Sequence, residues 1–258
     1  MKKLSIECFN PYEAKFPNRR VVSRGQLHLY KTLISNGIEC EIIPDDGSKL
    51  NYLAQKDITS LLSDPFIITI GTIGVNILSN AIWDFIKGLG EDKKSNIFFK
   101  DKDGKVFNYQ GNQLKDSTVV ELVSLLNDKQ SGFNKSFQIA SSQPDLSIPI
   151  HLEHKPEIVG WCHVSMKDDG LFVDKAEIFC DNTLSRIDKG ELKGFSIGGL
   201  VTKSTCQICS QDYVDCPHIA GEVYNQVKCT NLIEKCDLAE ISVVKDPANP
   251  ICNIQKRN

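Results

Sequence analysis

Two groups of side chains in the second half of the chain have types and spacings that can do chemistry. Cys206, Cys209, Cys216, His218 and Cys229 fall within 24 residues, as C-x2-C, six residues, C-x-H, ten residues and a last Cys. A C-x2-C pair sets two thiolates on one side of a tight turn, a half-site for tetrahedral zinc; Cys216 or His218, together with Cys229, can complete it. Zinc takes four ligands and five are offered, so the set stays open by one. Ligand softness favours zinc, and a thiolate-rich group without an open position suits a structural metal that staples a loop. The flanking Gln207, Ser210 and Asp212 do not resemble the helix start that a redox C-x2-C needs.

The second group is spread over three segments: IHLEHKPEIVG with His151 and His154, ELKGFSIGG with Ser196, and LAEISVVKDPANP with Glu240 and Ser242. A serine hydroxyl is a poor nucleophile until a histidine takes its proton and a third group orients that histidine. Glycines beside the serine, here Gly198 and Gly199, let backbone N–H groups approach an oxyanion. Spacing alone does not join these residues. Ser196 also reads as a strand serine, His154 as a turn residue before Pro156, and Glu240 as a solvated strand charge.

The elements that would have to position them change character along the chain. Up to about residue 130 the pattern is mixed α/β. It has a helix over 25–37 ending in Asn36-Gly37, a strand in IECEIIP and a helix in NYLAQKDITSLLSD. FIITI then reads as a strand, followed by a helix over 75–89, a hairpin around Asp103-Gly104, and a helix over 117–128 with Ser117 as N-cap. The polar KQSGFNK (129–135) reads as a linker. After it come short apolar strands, SFQIA, SIPIHL, IVGWCHVSM, GLFVDKAEIF, GFSIGGLV and AEISVV, which suggest a small barrel or sandwich. One helix interrupts them, DNTLSRIDKG, with Asn182 as its cap and Lys189-Gly190 as its end.

Composition narrows the classes. At 41% hydrophobic and 24% charged the chain is an ordinary globular one, and 30 basic against 33 acidic residues exclude a nucleic-acid coat. Asp212, Asp215 and Glu222 give the cysteine loop the wrong charge for phosphate contacts. The first 36 residues are locally basic, including Lys15 and Lys31, which reads as a solvated face. Ten cysteines are too sparse for a disulfide scaffold, and MKKLSIECF has no apolar run after its lysines, so a reducing cytoplasm is expected. Pro65 to Trp83 is uncharged, but its Gly, Thr and Asn content fits strand, turn and helix better than a membrane span.

Taken in order, the motifs from about Ser136 to Gln255 resemble the prohead (head maturation) serine proteases of tailed phages, which share a barrel fold with herpesvirus assembly proteases. They are a histidine before I-V-G (His154 to Gly160), D-G-L-x-V (Asp169 to Val173), and G-x-L-K-G-x-S-I-G (Gly190 to Gly198). E-I-S-V-V-x-x-P-A-N-P (Glu240 to Pro250) follows, with a Cys/His insert before it. With the mixed α/β pattern before it, the chain is expected to be α+β: the resemblance leaves the N-terminal α/β domain (1–130) without a recognised family. A β-barrel-type protease domain (131–258) would follow it, with a zinc-like loop over 204–230. It implies a serine endopeptidase with Ser196 as nucleophile, His154 as base and Glu240 as the acidic third member. His151 is the alternative base or orienting histidine, and His163 is structural. Its implied partners are a protein substrate, capsid or scaffold proteins and further copies of itself, in a host cytoplasm or an assembling virion. A different class also fits, a catalytically inactive assembly module, and the added N-terminal region suggests a cell-encoded, defence-related relative.

Overall fold

The computed structural model describes residues 4–54, 66–70, 97–101, 103, 105–110, 113–117, 148–167, 170–247 and 252–254, with single positions at 126, 128, 131, 133, 135 and 137. The fold is mixed α/β and rich in strands. The first half holds β1 (Leu4–Glu7), β2 (Arg20–Val22), α1 (Arg24–Ser35), β3 (Cys40–Ile43), β4 (Leu50–Leu53), β5 (Phe66–Ile70), β6 (Ile97–Asp101), β7 (Val106–Gln110) and β8 (Gln113–Ser117). The second holds β9 (Ile148–Leu152), β10 (Ile158–Lys167), β11 (Gly170–Ile178), α2 (Asp181–Asp188), β12 (Gly194–Cys206), β13 (Val223–Tyr224), β14 (Val227–Lys228) and β15 (Asn231–Val244).

Two sheets carry the fold. One runs β3-β1-β5-β6-β7-β8 and the other β11-β10-β9-β15-β12-β4-β2, with β13-β14 a small ribbon in the cysteine loop. The alternation of Leu4 and Ile6 with half-buried neighbours puts one face of β1 in the core, each such side chain contributing about 1.5–3 kcal/mol. Helix α1 starts at a capping box, Ser23 with Gln26, and buries Leu27, Leu29 and Leu33. The expected hairpin is present as β6–β7, and FIITI is β5.

The second sheet is open among the described residues, from edge β11 to edge β2, and not the barrel that the motifs imply. Part of the reason is that strands from the first half extend it. Tyr52 and Leu53 of β4 pair with Val201 and Leu200 of β12, and β2 pairs with β4. The sheet therefore runs across the expected boundary at 130. One core cluster joins Leu4, Ile6 and Leu33 to Cys206, Tyr213 and Cys216.

Several local expectations are corrected. Leu50–Leu53 is a strand rather than the start of a helix, because pairing with β12 buries Tyr52 and Leu53 almost completely; residues 55–64 lie outside the described ones, as does the expected helix over 75–89. Ser117 is the last residue of β8 and Leu126 and Asp128 are helical, while residues 118–125, where the expected helix would start, lie outside the described ones. In the expected linker Phe133 is helical and fully buried, edge-on to Tyr12 at 5.0 Å, and Phe137 of SFQIA is helical too. Cys180, not Asn182, is the N-cap of α2, which Gly190 closes at φ 72°. No helix among the described residues is long and apolar enough to cross a membrane.

Candidate active site and metal loop

The site grows out of one long hairpin, β12 with β15. In its register Ser196 faces Ser242 and Gly198 faces Glu240. Side chains alternate across a sheet, so these four positions share one face, while Ile197 and Ile241 turn to the apolar core on the other. Between Gly198 and Gly199 the register slips, with Gly199 opposite Leu238, which leaves Ala239 as a bulge beside Glu240. Lys15, from the first half, donates to the Ala239 carbonyl at 3.1 Å. The bulge carbonyl thereby gains a partner and the acid's backbone an anchor.

β9 runs parallel to β15 and delivers the histidine. After Leu152 the chain turns, with Glu153 at φ 50° and His154 at φ 57°. The left-handed region costs a residue with a Cβ about 1–2 kcal/mol. Two hydrogen bonds to β15 hold it there: Glu153 N–H to Val243 O at 3.0 Å, and His154 N–H to Ser242 Oγ at 3.0 Å.

The imidazole of His154 lies between the other two groups. Its Nδ1 is 2.7 Å from Glu240 Oε1 and its Nε2 is 3.1 Å from Ser196 Oγ. With Nδ1–H donating to the carboxylate, Nε2 is left to accept from the serine hydroxyl. His154, Glu240 and Ser242 are fully buried and Ser196 is 7% exposed. Ser242 Oγ also donates to Glu240 Oε2 at 2.8 Å, so both carboxylate oxygens have donors. Burial alone would raise the pKa of Glu240, but the charges and hydrogen bonds of His154, with His151 and Ser242, hold it below the usual carboxylate range. This is the arrangement for moving a proton from a serine to a histidine whose tautomer is fixed by an acid.

His151 is not in that chain. It sits at the β9 position paired with Ser242, and its Nδ1 donates to the Lys155 carbonyl at 2.7 Å. Burial pushes its pKa down. Glu240, rather than His151, is the group in contact with His154 Nδ1. His163 is an exposed residue 3.5 Å from Asp174 on the β10–β11 hairpin.

The two glycines have a steric reason besides the oxyanion role that their place beside the serine suggests. A Cβ on Gly198 would lie 1.7 Å from Glu240 Oε1, and one on Gly199 would lie 2.3 Å from Asp237 O. Gly198 is the space into which the acid reaches. Ser242 has no role on sequence grounds alone; the E-x-S alternation, which places it on the acid's face, is the signal that could have found it.

At the far end of the same hairpin lies the cysteine loop. Cys206 is the last residue of β12, and Cys229 lies two residues before the start of β15. The ligand atoms of Cys206, Cys209, Cys216 and His218 all lie within 4.8 Å of one another, a group that could hold a metal ion. Cys206 Sγ is 3.7 Å from His218 Nδ1 and 3.8 Å from Cys229 Sγ; Cys229 is outside the group of four. Burial would raise the Cys206 pKa, but the backbone N–H groups of Cys209 and Ile208 and the neighbouring thiols outweigh it, lowering it to about 6. Cys216 is pushed up to about 11, chiefly by burial. His218 packs edge-on to Tyr224, with ring centroids 4.6 Å apart.

Comparison of the chain with protein-family models, with curated proteins and with solved structures returned no match to any of the three.

Proposed function

We propose that the chain is a serine endopeptidase built on the Ser196–His154–Glu240 relay, of the kind its motifs resemble in phage prohead proteases. The observation that carries this is the single imidazole bonded at Nδ1 to a buried carboxylate and at Nε2 to a serine hydroxyl. Ser196 Oγ attacks a peptide carbonyl while His154 Nε2 takes its proton. His154 returns that proton to the leaving amine, and water then hydrolyses the acyl-enzyme by the same route. Glu240 holds the Nδ1–H tautomer and stabilises the imidazolium.

The metal in this reading is a structural zinc. Thiolates at about 2.3 Å from zinc in a tetrahedron stand about 3.8 Å apart, and a thiolate and an imidazole nitrogen about 3.6 Å. The 3.7 Å from Cys206 to His218, both in the group of four, fits the second of those edges; the 3.8 Å from Cys206 to Cys229 fits the first and keeps Cys229 as the alternative thiolate. The zinc would tie the tip of the hairpin whose other end carries Ser196 and Glu240. Capsid or scaffold protein of an assembling shell, or the chain itself, is the substrate class that follows from the resemblance, with the cytoplasm of the cell as the place of action.

The test compares wild type with Ser196→Ala, alone and mixed with candidate protein substrates, by intact mass. Cleavage by wild type alone supports the proposal. Equal cleavage by both proteins would mean that another nucleophile or a contaminant is responsible.

A further inference from the structure

We infer that Lys31 of helix α1 is a built-in countercharge for a metal held in the cysteine loop, so that the first part of the chain and the loop form one metal-dependent unit. This rests on the structural-zinc reading and is independent of the protease reading.

Lys31 is only 3% exposed. Its Nζ donates to the Tyr213 carbonyl, to the His218 carbonyl at 2.9 Å and to Cys216 Sγ at 3.5 Å, and it lies 3.5 Å from the centroid of the Tyr213 ring. Three acceptors need three N–H donors, which an ammonium has and a neutral amine lacks. A buried ammonium is costly unless an anion faces it. Among the described residues no carboxylate stands within ion-pair distance of Lys31, and the anionic candidate at its Nζ is the sulfur of Cys216.

The charges then balance through the metal. A divalent ion with three thiolates and a neutral imidazole carries one net negative charge, and the cysteine group supplies that ligand set. Lys31, itself buried, restores neutrality. Its two carbonyl partners, on Tyr213 and His218, flank Cys216, so the same ammonium fixes the backbone that presents the second half of the site. An N–H donor to a ligating thiolate orients the sulfur and tunes the metal from outside its coordination shell. Because Lys31 is delivered by α1, whatever metal binding gains from it is also gained by the docking of α1 on the loop.

The experiment measures zinc content of the purified full chain and then zinc affinity by competition with a chromophoric chelator. Lys31→Met should weaken affinity by about 10–100-fold, the usual loss for an outer-shell partner of a metal site. Lys31→Gln, which keeps donors but not charge, should weaken it in the same direction. Lys49→Met removes an exposed lysine paired with Asp212 of the same loop and should stay within about twofold of wild type, separating a specific contact from net charge. Wild-type affinity in Lys31→Met or Lys31→Gln would overturn the inference and leave the zinc reading standing. A wild type without stoichiometric zinc, and with no affinity for it, would overturn both. Unfolding of both neutral variants in saturating zinc would make Lys31 a core residue only and would also overturn it.

Discussion

Gly198→Ala places a methyl group where the acid of the relay now sits. The added Cβ would be 1.7 Å from Glu240 Oε1, 2.5 Å from its Cδ and 2.9 Å from its Cγ. Ordinary carbon contacts begin near 3.5 Å, so the carboxylate must move by about 1.5 Å or more. The bond from Glu240 Oε1 to His154 Nδ1 is 2.7 Å, and a displacement of that size carries it past hydrogen-bonding range. Loss of the orienting acid in a serine relay costs about 10⁴ in rate, which at 1.36 kcal/mol per decade is about 5.5 kcal/mol of transition-state stabilisation. The backbone pairing of Gly198 with Glu240 does not depend on the missing side chain, so the sheet is expected to survive, with the ordinary overpacking cost of about 1–3 kcal/mol. The assay is the second-order rate of labelling by a fluorophosphonate, with circular dichroism as the control for folding. A folded Gly198→Ala protein that labels within about tenfold of wild type would refute the coupling of Gly198, Glu240 and His154.

Further outcomes follow from neighbouring contacts. Ser242→Ala strips a partner from the His154 N–H and from Glu240 Oε2 and should cost about 2–4 kcal/mol in urea denaturation; a change under about 1 kcal/mol would contradict the bridging role. Lys15→Met leaves the Ala239 carbonyl without its lysine and should lower kcat more than it raises KM, with Lys15→Arg recovering part of the loss; a pure KM effect would contradict a role in aiming Glu240. The folded pKa of His151 is depressed by burial, so its contribution to stability is fully present above its unfolded value of about 6.5 and is lost as pH falls below it. Glu240, also depressed, contributes above its unfolded value of about 4.3 and loses that contribution as pH falls through its lower folded value. The urea midpoint should therefore decline in two stages on acidification, and His151→Asn should shrink the first, to which His28, also lowered by burial, contributes; a flat midpoint between about pH 7 and 5.5 would contradict the burial of a neutral His151.

How much of this could be read from the residues depends on the range of the interaction. The strands β9 to β12 and β15 show in the alternation of short apolar runs, and α1 in its 3.6-residue spacing and its Asn36-Gly37 end, because both are local patterns. Motif order only singles out Ser196, His154 and Glu240; the β12–β15 register and the parallel pairing of β9 bring them together and set which atom faces which. β4 could not be read as a strand, since its burial comes from pairing with β12, about 150 residues away. Phe133 misleads for the same reason: a polar run surrounds it, yet Tyr12 gives it a core. The reason for Gly198 is a cross-strand contact with Glu240, invisible until the register is known. Lys31 sits in a basic stretch that reads as a solvated face; it is buried because the loop supplies two carbonyls and a sulfur that no local pattern reveals.

The most direct measurement is the site of covalent modification. Purified protein would be treated with a fluorophosphonate, digested and mapped by mass spectrometry, with Ser196→Ala and His154→Ala run beside it. One adduct per chain on Ser196, absent from Ser196→Ala and strongly slowed in His154→Ala, is the predicted result. A folded wild type that takes no label, or takes it at another residue, would contradict a working Ser196–His154–Glu240 relay.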